Sequence, residues 1–364
     1  MNFLRLGDYL LSTLFENDEI LAIDKPYGLN SHTNDSKIGN TDFIHDGLIE
    51  IYERQRQQKL HIVHRLDQTT TGVIIFAKSQ EAAKKYADYF FNRQVKKTYW
   101  FVTAEESARD NFVIDQPILH KAKELEAHTE FRFLHQKAGF ALWEAKPFTG
   151  RNHQIRIHAQ VAGISIIGDE KYNGAIFPFL CLHNHQIEFP NGILIKSEAP
   201  IYFQHLNLLE NQILVKALFE ADRRLRIFMH PELLDQCFRL VHNKNDFKDF
   251  GFTIDHFGQR LILSCYQENW LEADSQTFSY FAAQFKKPIL VRLMDNRGKD
   301  PLNKSHFIIQ SQNENLSIAT AWVAKENNIK YEMRSDSGQS FGLFLDQRLQ
   351  RNWVLNNSNN KQVL

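Results

Sequence analysis

The stretch HIVHRLDQTTTGVIIFAKSQ, residues 61–80, places charged side chains directly before an apolar run. The run Val73 to Phe76 predicts a buried strand, and Asp67 lies a few residues before it. A carboxylate on a turn that leads into a rigid strand is well held, and such loops often carry function. The alternative is that Asp67 only caps the turn, with its side chain bonded to nearby backbone amides.

Length and composition bound the fold. A chain of 364 residues with 43% apolar and 24% charged content is globular and too long for one typical core. We therefore expect two domains, residues 1–204 and 205–364. The formal net charge is zero, so any surface that binds nucleic acid has to be local.

The cysteines and histidines argue against a metal site. The three cysteines are far apart and include no CxxC pair, which excludes a disulfide framework and favours a reducing cytoplasm. The sixteen histidines are scattered without zinc-like spacing. No stretch reaches the roughly 18 apolar residues of a spanning helix. We expect a cytoplasmic protein without a metal or membrane segment.

Strands and helices alternate without a regular βαβ period, which favours an α+β fold with a mixed, largely antiparallel sheet and flanking helices. In the first domain the patterns predict a helix starting at a Ser79 cap, a strand at 96–103, a hairpin around 137–139 and a helix at 152–163. The second domain, also α+β and smaller, is predicted to contain a helix at 230–246, a hairpin at 252–266, and a helix followed by a strand within 275–294.

A second polar segment, FTGRNHQIRIH at 148–158, changes how Asp67 is interpreted. Arg151 follows a Thr-Gly turn and precedes a helix, so it can project from the same sheet edge as Asp67. A partly buried aspartate beside an arginine stays ionised, which a nucleophile needs. A purely structural ion pair is the alternative.

These segments together resemble a known family. HRLDQTTTG resembles the signature of the RluA-type pseudouridine synthases, and DKPYGL and KKTYW are similar to that family's Lys-Pro-x-Gly-Leu and Lys-x-Tyr segments. TGRNHQIRIHAQVAGISIIGDEKYNG (149–174) and LCLHNHQIEF (180–189) follow in the family's order. The resemblance implies the pseudouridine synthase fold, with an active-site cleft, and a cofactor-independent isomerase acting on RNA.

The resemblance also implies roles for matching positions. Asp67 would be the nucleophile that detaches uracil from its ribose, and Arg151 would pair with Asp67. Tyr99 would stack on the uracil and could accept a proton in the sugar steps. Arg65 would fill the gap left by the extruded uridine; the alternative is a simple phosphate contact or a salt bridge. The residues expected to contact RNA are Arg65, His64, Lys97, His153 and Arg156.

Two positions depart from the family pattern. Thr71 stands where serine is usual, and Asn152 stands where threonine is common. The small N-terminal RNA-binding module of many relatives is also expected to be missing. We expect a bacterial enzyme whose substrate is large-subunit ribosomal RNA, with transfer RNA as the alternative.

The C-terminal region has its own resemblance. FRLVHNKNDFKDFGFTIDHFG (238–258) and YEMRSDSGQSFGLFLDQRLQRNWV (331–354) resemble the central domain of class I rRNA methyltransferases. No glycine-rich loop follows, so we expect no binding of S-adenosylmethionine by this chain. The alternative to an active enzyme is a catalytically silent RNA-binding remnant of a synthase–methyltransferase fusion.

Overall fold

The computed structural model describes residues 13–33, 47–104, 111–120, 122–228, 237–242, 251–266, 279, 281–282, 285, 287–293, 307–309, 321–326, 329–334 and 343–358. The chain divides into two compact units, Met1–His230 and Pro231–Leu364. The domain boundary at 204/205 that the sequence predicts stays a prediction. The boundary between the two units in the structure lies after the helix Gln212–Phe228, which begins beyond residue 204.

The first unit is built on one large sheet. The strands of this unit are β1 (Thr13–Glu16), β2 (Ile20–Lys25), β3 (His61–Ile62), β4 (Thr71–Ala77), β5 (Lys96–Thr103), β6 (Phe112–Ile114), β7 (Ile118–His120), β8 (Lys123–Leu125), β9 (Thr129–Lys137), β10 (Phe140–Pro147), β11 (Leu182–Glu188) and β12 (Leu194–Lys196). Of these, β7 and β8 pair with each other outside the large sheet. Its helices are α1 (Leu48–Arg56), α2 (Gln80–Phe91), α3 (Gln154–Val161), α4 (Ile201–Gln204) and α5 (Gln212–Phe228).

The described strands confirm the predicted mixed, largely antiparallel sheet. The main path runs β1-β2-β4-β11-β5-β10-β9-β6, while β3 pairs with β4 and β12 with β11. Every pair in this sheet is antiparallel except β4 with β11. The predicted strand at Val73 to Phe76 lies within β4, all of whose residues are buried. The resulting class is α+β.

The sheet splits along one edge of β4. β3 pairs with the end of β4 at Phe76 and Ala77, and β11 pairs with its start at Thr71 and Gly72. Between these two pairings, side chains take over the hydrogen bonds that a neighbouring strand would make to β4. His64 Nε2 accepts from the Ile75 N–H at 3.0 Å. Asn184 Nδ2 donates to the Val73 carbonyl at 2.7 Å. The loop 63–70 leaves the sheet at this split and carries Asp67.

Gly72 is required by the close approach of β4 and β11. Its φ is +104°, and a Cβ atom there would lie 2.2 Å from the Asn184 carbonyl oxygen. A side chain would therefore both strain the backbone and push the two strands apart. This explains the glycine that ends HRLDQTTTG.

Other predicted elements of the first unit are confirmed. Ser79 caps α2, since its hydroxyl accepts from the Ala82 N–H at 3.1 Å. β5 spans the predicted 96–103, β9 and β10 form the predicted hairpin, and α3 lies within 152–163. The helix α1 begins at Leu48, and residues 41–46 before it lie outside the described residues.

The described part of the second unit is also sheet-rich. Its elements are β13 (Cys237–Val241), β14 (Phe252–Phe257), β15 (Arg260–Cys265), β16 (Ile289–Leu293), β17 (Phe307–Ile309), β18 (Ala321–Glu326), β19 (Ile329–Arg334) and α6 (Arg348–Asn357). β13 to β17 form a sheet in chain order, and β18 pairs with β19. The predicted hairpin at 252–266 and the strand within 275–294 are confirmed. The helix predicted before that strand lies largely outside the described residues.

The helix predicted at 230–246 is wrong where the structure describes it. Cys237 to Val241 form β13, which pairs antiparallel with β14. The ring of Phe238 stacks on His256 with centroids 4.5 Å apart, and Arg239 forms a salt bridge with Asp255 at 2.6 Å. These cross-strand pairs outweigh the local helical pattern. Residues 231–236 and 243–250 lie outside the described residues.

Candidate active site

The split edge of β4 opens into a cleft with a volume of about 980 Å³. Every side chain that the sequence singled out as catalytic or RNA-binding lines this cleft. They are His64, Arg65, Asp67, Lys97, Tyr99, Arg151, His153 and Arg156. The loop before β4, the strand β5 and the start of α3 supply them.

The loop that carries Asp67 is fixed from behind by a buried lysine. The Lys25 side chain is 0% exposed, and its Nζ donates to the carbonyl oxygens of Pro26, Gln68 and Thr70 at 3.1, 2.9 and 2.8 Å. Burial lowers the pKa of Lys25 to about 7, and Asp67 opposes that shift. Lys25 thus holds the part of the turn that directly follows Asp67.

The arginine that contacts Asp67 is Arg156, which corrects the expected pairing with Arg151. Arg156 Nη1 lies 3.3 Å from Asp67 Oδ2. Its Nε and Nη2 donate to the two oxygens of Asp169, each at 2.7 Å. Asp169 is buried, so it fixes the guanidinium as a bidentate partner. Arg156 therefore links the candidate nucleophile to a rigid part of the fold.

Arg151 lines the cleft but turns to a different partner. Its Nε donates to the Glu126 carbonyl at 2.9 Å, and its backbone N–H donates to Gln154 Oε1 at 3.0 Å. Arg151 precedes α3, whereas Arg156 lies on the helix and can reach the Asp67 loop. From the sequence, Arg151 was expected to pair with Asp67 and Arg156 to contact RNA, but the order of the two along the turn and helix decides which one touches the carboxylate.

His153 and Tyr172 complete the surroundings of Asp67. His153 Nε2 lies 3.7 Å from Asp67 Oδ2, and His153 Nδ1 is 2.8 Å from the Tyr172 hydroxyl. Burial lowers the pKa of His153, and the Asp67 charge opposes this shift. His153 immediately precedes α3 and Arg156 lies in the first turn of that helix, so both side chains approach Asp67 from the same end of α3. The Arg156 guanidinium also lies over the Tyr172 ring, 4.9 Å from its centroid.

Tyr99 stands on β5 as a buried wall of the cleft. Burial raises the pKa of its phenol, and the nearby Asp67 charge raises it further. The hydroxyl therefore stays protonated at neutral pH and can donate a hydrogen bond. β5 fixes its backbone between β10 and β11, since Tyr99 is in register with Ala145 and Asn184.

His64 and Lys97 line the inner part of the cleft. Burial lowers the pKa of His64 to about 3, so its ring is neutral and accepts from Ile75 as described above. His64 is thus a structural side chain as well as a cleft residue. Lys97 Nζ donates to the Thr149 carbonyl at 2.8 Å, and burial lowers its pKa to about 8.

Arg65 is exposed, and no hydrogen bond or ion pair holds its side chain among the described residues. The side chain of Asp67, by contrast, contacts Arg156 and His153, and its turn is closed by a backbone bond from Thr70 N–H to the Asp67 carbonyl at 3.1 Å. The turn thus leaves the carboxylate available to the cleft.

Sequence reasoning missed three residues that position this site. Lys25 and Asp169 lie in segments quoted for the family resemblance, but neither was given a role. Gln154 is the third: its Oε1 accepts from the Thr149 hydroxyl at 2.6 Å, and its Nε2 donates to the His128 carbonyl at 2.9 Å. The available signal was a polar residue in an apolar or helical segment. Such a residue predicts a buried polar group, and a buried polar group needs a hydrogen-bond partner.

The departure at Thr71 has a structural explanation. Its hydroxyl lies 2.8 Å from His183 Nδ1 and donates to the Leu182 carbonyl at 3.4 Å. The methyl group lies in a buried position at the start of β4. A threonine therefore keeps the hydroxyl that this position uses.

Neither a metal nor a membrane site emerges from the described ranges. There, no group of three or more His, Cys, Asp and Glu side chains is arranged to hold a metal ion. None of the helices in the part of the chain that the structure describes has the length and apolar content to cross a membrane. The three cysteines are free and buried.

Comparison with known proteins identifies the family. The profile described as "RNA pseudouridylate synthase" matches residues 19–161. The "Ribosomal large subunit pseudouridine synthase C" of Rickettsia typhi is 31% identical over 220 residues, which cover 54% of this chain and 70% of that protein. This chain belongs to the RNA pseudouridine synthase family.

Other similarities are more distant or less complete. The "Pseudouridylate synthase RPUSD4, mitochondrial" of Bos taurus is 30% identical over 190 residues, or 43% of this chain and 50% of that protein. The chain spans about half the length of several curated relatives it matches. A solved structure titled "A putative sam-dependent methyltransferase from Streptococcus mutans" is 18% identical with a TM-score of 0.32, covering 56% of this chain and 53% of that one. At this identity and TM-score, the similarity assigns no function to the second unit.

Proposed function

We propose that this chain is an active RNA pseudouridine synthase in which Asp67 is the nucleophile. The observation that carries this proposal is the Asp67 carboxylate itself. It lies in a large cleft, in contact with Arg156 and His153, and on a turn that Lys25 fixes. Membership of the pseudouridine synthase family gives this geometry its chemical meaning.

The reaction breaks the bond between the ribose and N1 of uracil and forms a new bond between the ribose and carbon 5. Asp67 drives the detachment, and the base rotates before it rejoins. The proton on carbon 5 leaves to solvent, and N1 gains one, so the isomerisation needs no oxidant or cofactor. Preorganised groups around the carboxylate lower the barrier by holding it in position.

The other side chains of the cleft have complementary tasks in this proposal. Tyr99 presents a buried ring and a protonated hydroxyl to the uracil. Arg156, which Asp169 holds in place, contacts Asp67 and orients its carboxylate. The exposed guanidinium of Arg65 takes the place of the extruded uridine in the RNA stack. Extrusion of a base costs a few kcal/mol, which such a replacement offsets.

The substrate we propose is large-subunit ribosomal RNA, with transfer RNA as the competing choice. The name of the Rickettsia typhi relative supports the former. Five cationic side chains and one carboxylate are among the described residues that line the cleft, which suits a polyanion. The cations are Arg65, Arg93, Lys97, Arg151 and Arg156.

The test is release of tritium from RNA labelled at carbon 5 of uridine. Large-subunit ribosomal RNA and transfer RNA transcripts are incubated with the wild type, Asp67→Asn and Asp88→Asn. Asp88 is exposed on α2 and lies outside the cleft, so it is the matched control. We expect the wild type and Asp88→Asn to release label from one RNA class, and Asp67→Asn to release none. Equal release by Asp67→Asn would refute its role as nucleophile, and no release by the wild type would favour a silent RNA-binding protein.

A further inference from the structure

The C-terminal end of α2 brings two phenylalanines to the rim of the cleft. Phe90 and Phe91 both line it, and they are the last two residues of the helix. Phe91 is 85% exposed, so it presents nearly its whole ring to solvent. No ring contact holds it among the described residues.

The end of the helix that carries this exposed ring is fixed. Phe90 stacks on His64 with centroids 4.8 Å apart and planes 21° apart, and it meets Phe189 edge-on at 5.9 Å. His64 is in turn fixed to β4 by its bond from the Ile75 N–H. The end of α2 is therefore tied to the same strand that positions Asp67. An exposed ring on a fixed support is prepared to bind a flat partner without a large loss of conformational entropy.

Exposure alone would not single out Phe91, because other large apolar side chains of the first unit are also exposed. Ile176 is 90% exposed and Leu119 is 70% exposed, but neither lines the cleft. Phe91 combines exposure, an aromatic face and a place on the rim of the candidate active site.

The charges around this rim select the partner. Arg65 and Arg93 line the same cleft, and Lys97 lies on the strand that follows α2. Arg93 also forms an exposed salt bridge with Glu126 at 2.6 Å, which solvent screens. An aromatic ring flanked by cations suits a nucleotide, whose base stacks and whose phosphate is neutralised. A lipid or an apolar peptide would leave these cations unused.

We propose that Phe91 is a base-stacking subsite for the nucleotide next to the target uridine. The proposal rests on the proposed function, since it takes the occupant of the cleft to be RNA. A uridine that enters the cleft brings its neighbours to the rim, where one unstacked base lies against Phe91. Arg65 takes the place of the extruded uridine in the RNA stack, whereas Phe91 binds a neighbouring base that has left the stack. Because every base has a flat π-face, the subsite accepts any base and favours the larger purines.

The subsite is tested by binding, separately from catalysis. The probe is a fluorescent single-stranded RNA with one central uridine flanked by adenines, compared with versions that have an abasic site on the 5′ or the 3′ side. All measurements use Asp67→Asn protein, so that turnover does not alter the probe. In that background the affinities of otherwise wild-type, Phe91→Ala, Phe91→Trp and Ile176→Ala proteins are measured by anisotropy.

We expect one abasic site to weaken binding about fivefold or more in otherwise wild-type protein, which is the factor that base–aromatic stacking supplies. Phe91→Ala should bind the adenine-flanked and abasic probes equally, whereas Phe91→Trp and Ile176→Ala should keep the difference. Phe91 is exposed, so its replacement leaves the core intact. Full discrimination by Phe91→Ala, or the same loss in Ile176→Ala, would overturn the subsite.

Tritium release separates this proposal from the proposed function. If wild-type protein releases label but Phe91→Ala still discriminates between the probes, the subsite is wrong and the isomerase stands. If no RNA yields label but discrimination depends on Phe91, the isomerase is wrong and the subsite stands.

Discussion

At the scale of single residues, the central feature is one guanidinium held between two carboxylates. Arg156 is 11% exposed and contacts both Asp67 and Asp169. The pair with Asp169 is the shorter and is bidentate, so Asp169 fixes the arginine and the arginine fixes Asp67. A lysine has only one nitrogen and cannot satisfy both carboxylates with this geometry.

We therefore expect Arg156→Lys to lower kcat by about 100-fold or more, because small misplacements of a catalytic group have costs of that size. Arg151→Lys is the matched control, since Arg151 lines the same cleft but contacts the Glu126 carbonyl. This control should change KM more than kcat. Both constants follow from tritium release at varied RNA concentration. Equal losses of kcat in the two variants would show that Asp67 does not depend on Arg156.

Lys97 gives the cleft a pH dependence. Burial lowers its pKa to about 8, so the ammonium is charged below that pH and loses its charge as the pH rises through it. We expect RNA affinity to fall by about tenfold between about pH 7 and about pH 9, the worth of one charge-assisted hydrogen bond. Lys97→Arg should remove most of this fall, because a guanidinium stays charged. Anisotropy at constant ionic strength measures both, and a parallel fall in the variant would assign the titration to another group.

At the scale of elements, two loops from separate strands act as one. Lys25 is the last residue of β2 and donates to the carbonyl oxygens of Gln68 and Thr70, and the Gly28 N–H donates to the Gln68 carbonyl at 2.9 Å. Ser31 adds a third link, since its hydroxyl donates to the Leu66 carbonyl at 3.0 Å. The loop of Asp67 is thus held along its length by the segment that begins with DKPYGL.

The sequence predicted the elements of this site better than its contacts. β5, the Ser79 cap and the hairpin were predictable because local periodicity and capping determine them. The choice between Arg151 and Arg156 was not, because it depends on where α3 begins and on Asp169 reaching it from elsewhere in the chain. The helix predicted over the residues of β13 was wrong for the same reason, since the strand that pairs with β13 is not adjacent in sequence.

At the scale of the whole molecule, the described cleft is built entirely within the first unit. Its lining residues all lie between Ile62 and Leu182. α5 belongs to this unit although it follows the predicted boundary at 204. Its Phe219 stacks on Phe179 with centroids 3.9 Å apart and meets Tyr27 edge-on at 4.9 Å. Tyr27 lies in the same segment as Lys25, so α5 supports the loops that hold Asp67 from outside the cleft.

A chain that ends at residue 230 should therefore fold and release tritium, whereas a chain that ends at residue 204 should be less stable. Loss of the buried Phe219 ring alone corresponds to about 3–5 kcal/mol, and α5 buries further apolar side chains, including Leu214 and Leu218. Denaturant unfolding of the two truncated chains measures the difference, and Phe219→Ala in the full chain isolates the contribution of that ring. If both truncated chains unfold at the same denaturant concentration, α5 adds nothing to the first unit, and the boundary at 204 is the better one. If the longer chain alone resists unfolding and releases label, the catalytic unit extends through α5, because the site needs the support that Phe219 gives to Tyr27.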